Sequence, residues 1–420
     1  MEWQPGMGWP QVDVDAAGGW AESGAQWLTS PGVVVPVRML AGVVGLVRRL
    51  DEHGAGLADL YGAEGLGILS SRAAMLGLPR SGRVSCGGAT RLLRASDAWI
   101  AVALVRPDDL RALPAWLGVE HDDPALNDVT NVWTLLTERL ALRPATEIVE
   151  FGAVLGLACS VLSEAATDAT DEGSPTFMSR LGDAPSRPLR GARVANLASL
   201  WAGPLVADVL RRLGADVISV ESVGRPDGAR ATPDWFASLH VDQRSVAVDL
   251  RRDRDVAQLA ALLRSADVVI EGSRPRALEQ LGIDAADVAG TGPQVWVSIT
   301  GHGRRPPQSM RVAFGDDAAA AGGLVGRLAD GPVFLADAVA DPLAGLTAAV
   351  SVVDLLARGG RWMVDVALSR VAACAASRPD DPAVEGRADA RRPRAVPGDL
   401  VPVPSGRDTA EVLAEWGVDP

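Results

Sequence analysis

Lysine is absent from this 420-residue chain; all 40 basic residues are arginine. Chemistry that needs a Schiff-base amine or a P-loop lysine is therefore excluded. Cysteine is nearly as scarce. Cys86, Cys159 and Cys374 are widely spaced and odd in number, which suits neither a disulfide framework nor a zinc site. The four histidines, His53, His121, His240 and His302, are equally scattered, so no structural metal is expected. No uninterrupted apolar run reaches the roughly 18–20 residues of a membrane span, since stretches such as 344–353 are broken by Gly, Thr or Ser. The start, Met1-Glu2-Trp3-Gln4-Pro5, lacks the basic-then-apolar pattern of a signal peptide. A soluble, cytoplasmic protein without a membrane partner is the expectation. A net charge of −13 argues against nucleic acid as the main partner.

Hydrophobic residues supply 48% of the chain, which is globular rather than disordered composition. Between residues 188 and 375 strand and helix patterns alternate. The spacing predicts strands at 193–197, 215–221, 245–250, 267–271, 294–300 and 362–368, with helices at 203–213, 253–265, 316–327 and 342–357. Such alternation implies βαβ units with right-handed crossovers, hence a doubly wound, Rossmann-like, mainly parallel sheet. The first 165 residues read as a smaller α+β unit, with helices at 35–50, 64–76, 108–117, 131–142 and 144–157 and a strand at 98–105. Residues 166–187, rich in Asp, Thr, Ser, Gly and Pro, read as a linker. Residues 376–420 read as a Pro- and Arg-dense connection, densest over 378–404, followed by a short helix at 408–416. The segment from Trp20 through Val35-Pro36 echoes the segment from Ala319 through Asp341-Pro342, with Val35 where the second copy has its acid.

The first strand–helix turn, Leu200-Trp201-Ala202-Gly203-Pro204, would expose backbone N–H groups at a helix N-terminus and favour a phosphate. It is equally a tight turn with no ligand. Neither GxGxxG nor GKS/T is present, which removes the case for a nicotinamide-binding dehydrogenase.

Several fragments in order resemble the family III CoA-transferases, a group that includes formyl-CoA and carnitine-CoA transferases and the α-methylacyl-CoA racemases. They are Arg190-Gly-Ala-Arg-Val-Ala-Asn-Leu, Trp201-Ala-Gly-Pro, Leu213-Gly-Ala-Asp-Val-Ile-Ser-Val-Glu, Arg244-Ser-Val-Ala-Val-Asp-Leu, Ala266-Asp-Val-Val-Ile-Glu with Arg274-Pro275, Ser298-Ile-Thr-Gly-His-Gly and Ala340-Asp-Pro-Leu-Ala-Gly. The resemblance implies that Asp341, which opens a D-x-x-x-G turn, is the nucleophile, with Asp337 as the fallback. A carboxylate there would attack an acyl-CoA thioester, become a CoA thioester itself, and pass CoA to an acceptor acid. Asp341 could instead serve only as a helix cap before Pro342, and in either role the helix dipole would hold it ionised. Ser85-Cys-Gly-Gly resembles the family's glycine loop, displaced ahead of the large domain, so the order is permuted or the chain is a fused pair whose first copy has decayed. Gly87 and Gly88 would then approach the thioester oxygen, or be no more than a hairpin pair.

The same resemblance implies coenzyme A and acyl-CoA as substrates with no permanently bound cofactor, a carboxylic acid acceptor, and a homodimer that is interlocked in ordinary members. CoA contacts would fall to Trp201, Ala202, Gly203 and Pro204 with Arg230, Arg274 and Arg311, each arginine being otherwise an ordinary surface residue. Departures are visible. Trp201 replaces a polar residue, Gly272-Ser273 stands where Asn-Phe is common, and Gln280 sits where an arginine is expected. These motivate an alternative, a catalytically inactive homologue serving as a binding or regulatory subunit. Residues 303–340 contain no histidine, which disfavours racemisation.

Overall fold

Apolar residues at consecutive positions, as in Val268-Val269-Ile270 and Val295-Trp296-Val297, give strands that must be covered on both faces. The computed structural model, which describes residue 2 and residues 4–165, 174–398 and 400–418, places them in an eight-stranded sheet. The strands are β1 (Gln4–Pro5), β2 (Thr90–Arg94), β3 (Trp99–Ala103), β4 (Ala158–Val161), β5 (Thr176–Gly182), β6 (Arg193–Asn196), β7 (Asp216–Ser222), β8 (Arg244–Val248), β9 (Val268–Glu271), β10 (Val295–Thr300), β11 (Gly326–Leu328), β12 (Gly331–Val333) and β13 (Arg361–Ala367). The sheet order is β1-β5-β13-β10-β9-β6-β7-β8, parallel from β13 to β8 and antiparallel at β5 and β1. The doubly wound, mainly parallel fold expected from the sequence is present. Its strand order reverses between β6 and β9, where such sheets open a crevice at their carboxyl ends.

Val194, Val217, Val268, Val297 and Val364 face one core, and Ala195, Ile218, Val269, Trp296 and Met363 face the other. Helices Ala202–Arg212, Val37–Asp51, Ala340–Arg358 and Leu368–Ala375 cover the first face. Asp253–Ser265, Ala285–Thr291 and Thr409–Glu415 cover the second. The Ala340–Arg358 helix is long and apolar enough to cross a membrane, a length hidden in the sequence by Gly345, Thr347 and Ser351. Here it is a core helix. Gly345 lets it press on its neighbour, because a Cβ there would meet Ala202 O at 2.9 Å and Leu205 Cδ2 at 2.8 Å.

Three features correct the sequence reading. The stretch read as a linker at 166–187 contains β5, whose backbone pairs with β13; residues 166–173 of it lie outside the described residues. The helix expected over 316–327 stops at Ala321, because Gly322 and Gly323 (φ +77°) turn the chain into the β11–β12 hairpin. Finally, residues 1–165 do not share one core. Trp9 to Cys86 contribute to the core under the large sheet, while β2, β3 and β4 with helices Pro107–Leu117, Val129–Leu140 and Ala145–Leu155 enclose a separate cluster around Trp116 and Trp133.

The second stretch read as a connection, 378–404, crosses the N-terminal helices. Val35 N–H donates to Val384 O (2.9 Å), Arg391 N–H to Ala21 O (2.8 Å), and Gln26 and Arg387 bond reciprocally. It then delivers the Thr409–Glu415 helix to β8, where Asp408 N–H donates to Ser245 O (2.9 Å) and Ser245 N–H donates to Asp408 Oδ2 (2.8 Å).

Near the carboxyl ends of β9, β10 and β13, Glu271, Ser298 and Asp365 stand side by side in register. Arg304 joins them, donating to Glu271 Oε1 (2.6 Å) and Ser298 Oγ (2.9 Å), while its backbone N–H donates to Asp365 Oδ2 (3.1 Å). Arg304 and Glu271 side chains are only 7% and 1% exposed. Removing one partner of such a pair strands the other's charge. Glu271→Ala is expected to lower stability by about 3–5 kcal/mol in urea unfolding, with a much smaller loss for Asp249→Ala at the exposed Arg251 pair.

Candidate active site

The segment leading into the Ala340–Arg358 helix is held in an unusual backbone. Ala336 (φ +41°) and Ala338 (φ +43°) both occupy the left-handed region, on either side of Asp337. An alanine there costs roughly 1–2 kcal/mol, so neighbouring groups must hold it. Ala336 N–H donates to Thr29 Oγ1 (2.9 Å), Cys86 Sγ donates to Ala336 O (2.9 Å), and Ala338 N–H donates to Asp316 Oδ1 (3.1 Å). Arg72 Nη1 donates to Asp337 Oδ1 at 2.7 Å. Thr29, Arg72 and Cys86 all come from the N-terminal half.

Asp341 follows in the first turn of the helix. It is not the cap, since the helix starts one residue earlier with Val339 at the N-cap position. Its carboxylate lies against the start of helix Gly315–Ala321: a Cβ on Gly315 would sit 2.4 Å from Asp341 Oδ2. Only glycine fits there. Asp316 and Asp341 remain partly exposed, whereas Asp317 and Asp337 are buried. Arg72 lies over the Trp201 ring (5.5 Å), and Trp201 packs edge-on against Trp235 (5.1 Å).

One guanidinium among these carboxylates cannot hold them all ionised. Burial pushes Asp341 up to about 7; Arg72 and the Gly315 N–H oppose it, while Asp316 and Asp337 add to it. Asp316 rises to about 6, from burial and the charge of Asp337, against Arg72, the Ala338 N–H and Ser85. Asp317 reaches about 8, chiefly from burial, and Asp337 is also raised by burial against the pull of Arg72. The expectation that the helix dipole keeps Asp341 ionised is thus corrected, because desolvation outweighs it.

Gly87 and Gly88 are exposed. A Cβ on Gly87 would lie 3.6 Å from Arg72 Nη2, so this loop roofs the acidic cluster. The Gly88 N–H (φ +76°) is spent on Ser85 O at 2.9 Å, while the Gly87 N–H has no hydrogen-bond partner among the described residues. At the strand–helix turn, Trp201, Ala202, Gly203 and Pro204 are all buried against the Ala340–Arg358 helix. The turn packs behind the site and presents no open phosphate cradle.

The three arginines read as CoA contacts separate. Arg230 is committed to Glu221 (2.8 and 2.5 Å) and Val403 O (2.8 Å), and Arg311 to Glu164 (2.5 Å) and Cys159 O (3.1 Å). Arg274 has no carboxylate partner among the described residues. Partial burial lowers its pKa, and the nearby charges of Arg276, Arg106 and Arg225 lower it further. Arg225 follows β7 while Arg274 and Arg276 follow β9, on the two flanks of β6 where the sheet order reverses. The sequence reading missed Arg225 and Arg276, although Arg225 stands in the loop after β7 and Arg276 opens the short helix Arg276–Glu279 after β9. It also missed Arg72, for which no motif gave a signal, and gave no role to Asp316.

Groups with raised folded pKa values lend stability that is full below the ordinary carboxyl range and is lost as pH rises through the folded value. The melting temperature is therefore expected to fall between about pH 4 and 8.5, from the ordinary carboxyl pKa up through the folded values of Asp316, Asp341 and Asp317. Asp317→Asn, uncharged and isosteric, should remove the upper part of that slope and be the more stable form at pH 8.5, by about 1 kcal/mol or more; scanning calorimetry across this range checks both.

Residues 189–394 match CoA-transferase family III. The chain is 32% identical over 148 residues to succinyl-CoA:glutarate CoA-transferase of Mus musculus, covering 33% of this chain and 34% of that one. It is 28% identical over 200 residues to succinyl-CoA–D-citramalate CoA-transferase of Chloroflexus aurantiacus, covering 44% and 50%. Among solved structures, a CAIB/BAIF family protein from Brucella suis aligns at 30% identity over 45% of this chain and 55% of that one, with a TM-score of 0.41. The chain thus spans about a third to a half of the length of these curated relatives.

Proposed function

We propose that this chain, which matches CoA-transferase family III over residues 189–394, moves CoA from an acyl-CoA to a free carboxylic acid, with Asp341 as the carrier. The observation that carries the reading is the placement of Asp341: a partly exposed carboxylate against the Gly315 backbone, with the Gly87 loop beside Arg72 as the opposite wall. Ionised Asp341 attacks the thioester carbonyl, and the unpartnered Gly87 N–H is the donor assigned to the developing oxyanion. The bond to sulfur breaks, leaving a mixed anhydride and CoA thiolate. Thiolate then attacks the Asp341 carbonyl, the donor acid departs, and Asp341 carries CoA as a thioester.

Coenzyme A brings phosphates, and the open cation group of Arg225, Arg274 and Arg276 at the sheet's switch point suits them. Arg230 and Arg311, already paired, are assigned to holding the fold. The relatives named above act on succinyl-CoA, which makes it the first donor to try. Action as a cytoplasmic homodimer belongs to the same proposal. The alternative, an inactive binding subunit, draws on one observation: two of the three arginines read as CoA contacts are already paired. Titration calorimetry with CoA separates the readings, because absence of binding would favour the second.

Only the ionised acid attacks. With Asp341 at about 7, transfer should rise with pH through neutrality and level off above about pH 8. Asp341→Asn should lose roughly a thousandfold or more in transfer from succinyl-CoA; a variant with wild-type rate would remove Asp341 from this role. Arg225→Gln and Arg274→Gln should each raise the KM for the CoA substrate about tenfold, with the effect shrinking in high salt, as steady-state kinetics at two ionic strengths would register.

A further inference from the structure

Arg72 lies outside the family match, on the Ile68–Leu76 helix of the N-terminal half, yet its guanidinium sits in the middle of the acidic cluster. Nη1 is fixed to Asp337 Oδ1 at 2.7 Å, and one face of the group lies over Trp201 at 5.5 Å. Its other N–H groups make no hydrogen bond among the described residues, and Nη2 points toward the roof at Gly87. Asp337 is fully buried while the Arg72 side chain keeps 23% of its surface exposed. So the ion pair has a sealed end at Asp337 and an open end under the glycine loop, beside Asp341.

We infer that the open edge of Arg72 is the receiving site for the carboxylate of the acceptor acid. The inference rests on the transferase reading above and adds to it the residue that selects a free carboxylate. The charge balance supports it. In the resting site Asp341, Asp316 and Asp337 all draw on Arg72. Once Asp341 is a CoA thioester its negative charge is gone, and the Arg72 guanidinium then faces one carboxylate charge fewer. The incoming acid restores the original count. Its oxygen then attacks the Asp341 carbonyl; a C–O bond forms, the C–S bond breaks, and CoA leaves as thiolate. Thiolate attacks the acyl carbonyl of the anhydride, the C–O bond to Asp341 breaks, and Asp341 returns as a carboxylate with the new acyl-CoA released. No further oxidant, reductant or proton donor is consumed. Arg72 suits this role better than a lysine would, because its planar fork can hold Asp337 with one edge and the substrate with another.

A direct binding measurement tests this without depending on turnover. Asp341→Asn imitates the uncharged, CoA-loaded residue, so at about pH 8.5, where wild-type Asp341 is ionised, it should bind succinate or butyrate at least about tenfold more tightly than the wild type in titration calorimetry. Adding Arg72→Gln should abolish that binding, and adding Arg72→Lys should restore part of it. Equal acid binding by Asp341→Asn with and without Arg72→Gln, or no acid binding by Asp341→Asn at all, would overturn the assignment. Should Arg72→Gln fail to fold, the Arg72→Lys arm decides, since affinity equal to that of Asp341→Asn alone would contradict a two-edged guanidinium. Failure of the transferase reading registers separately, as absence of CoA on wild-type Asp341.

Discussion

The ion pair between Arg72 and Asp337 joins side chains 265 residues apart, and most of what makes the site depends on it. Asp337 sits between two alanines with positive φ, a backbone that would relax if nothing held it. Thr29, Arg72 and Cys86 from one half hold residues 336 and 337, while Asp316 holds Ala338 from the other side. This arrangement fixes the path of the chain into the helix that carries Asp341. Without the guanidinium, three carboxylates would face one another with no cation. The cluster costs stability, because each acid is raised by burial, and the same burial places Asp341 near neutral pH, as the proposed nucleophile requires.

The second consequence is architectural. The family match begins at residue 189, but the site does not fit inside it. The core under the large sheet includes Trp20, Leu40 and Leu46 as well as Leu205 and Leu343. Residues from Trp9 to Cys86 therefore pack as a wall of the layer that holds Asp341. The crossing segment 378–404 ties that wall down through Val384, Arg387 and Arg391.

The parallel strands were legible because buried β-branched runs at βαβ spacing have few other readings. Each was placed within about two residues, the usual uncertainty of element ends. β5 was not legible: its residues are flanked by turn-forming ones, and its strand character comes from the exposed edge of β13. The helix at 315–321 was overextended because alanine favours helix and periodicity does not register two glycines that stop it. Within the site, Asp341 and the Gly87 loop could be found from motif order. Arg72 could not, since one arginine on a short helix looks like any solvated residue until the fold brings Asp337 to it. Arg230 and Arg311 misled for the converse reason: their partners Glu221 and Glu164 are visible only in three dimensions.

The central claim is that Asp341, in a site walled by both halves of the chain, carries CoA covalently. Intact-mass and peptide-mapping spectrometry of the purified protein after incubation with a panel of acyl-CoAs, succinyl-CoA included, tests it most directly. The account predicts one CoA added per chain, released by hydroxylamine and located on the peptide containing Asp341, and absent from Asp341→Asn. An adduct on another residue, or an unmodified protein with every donor tried, would contradict it.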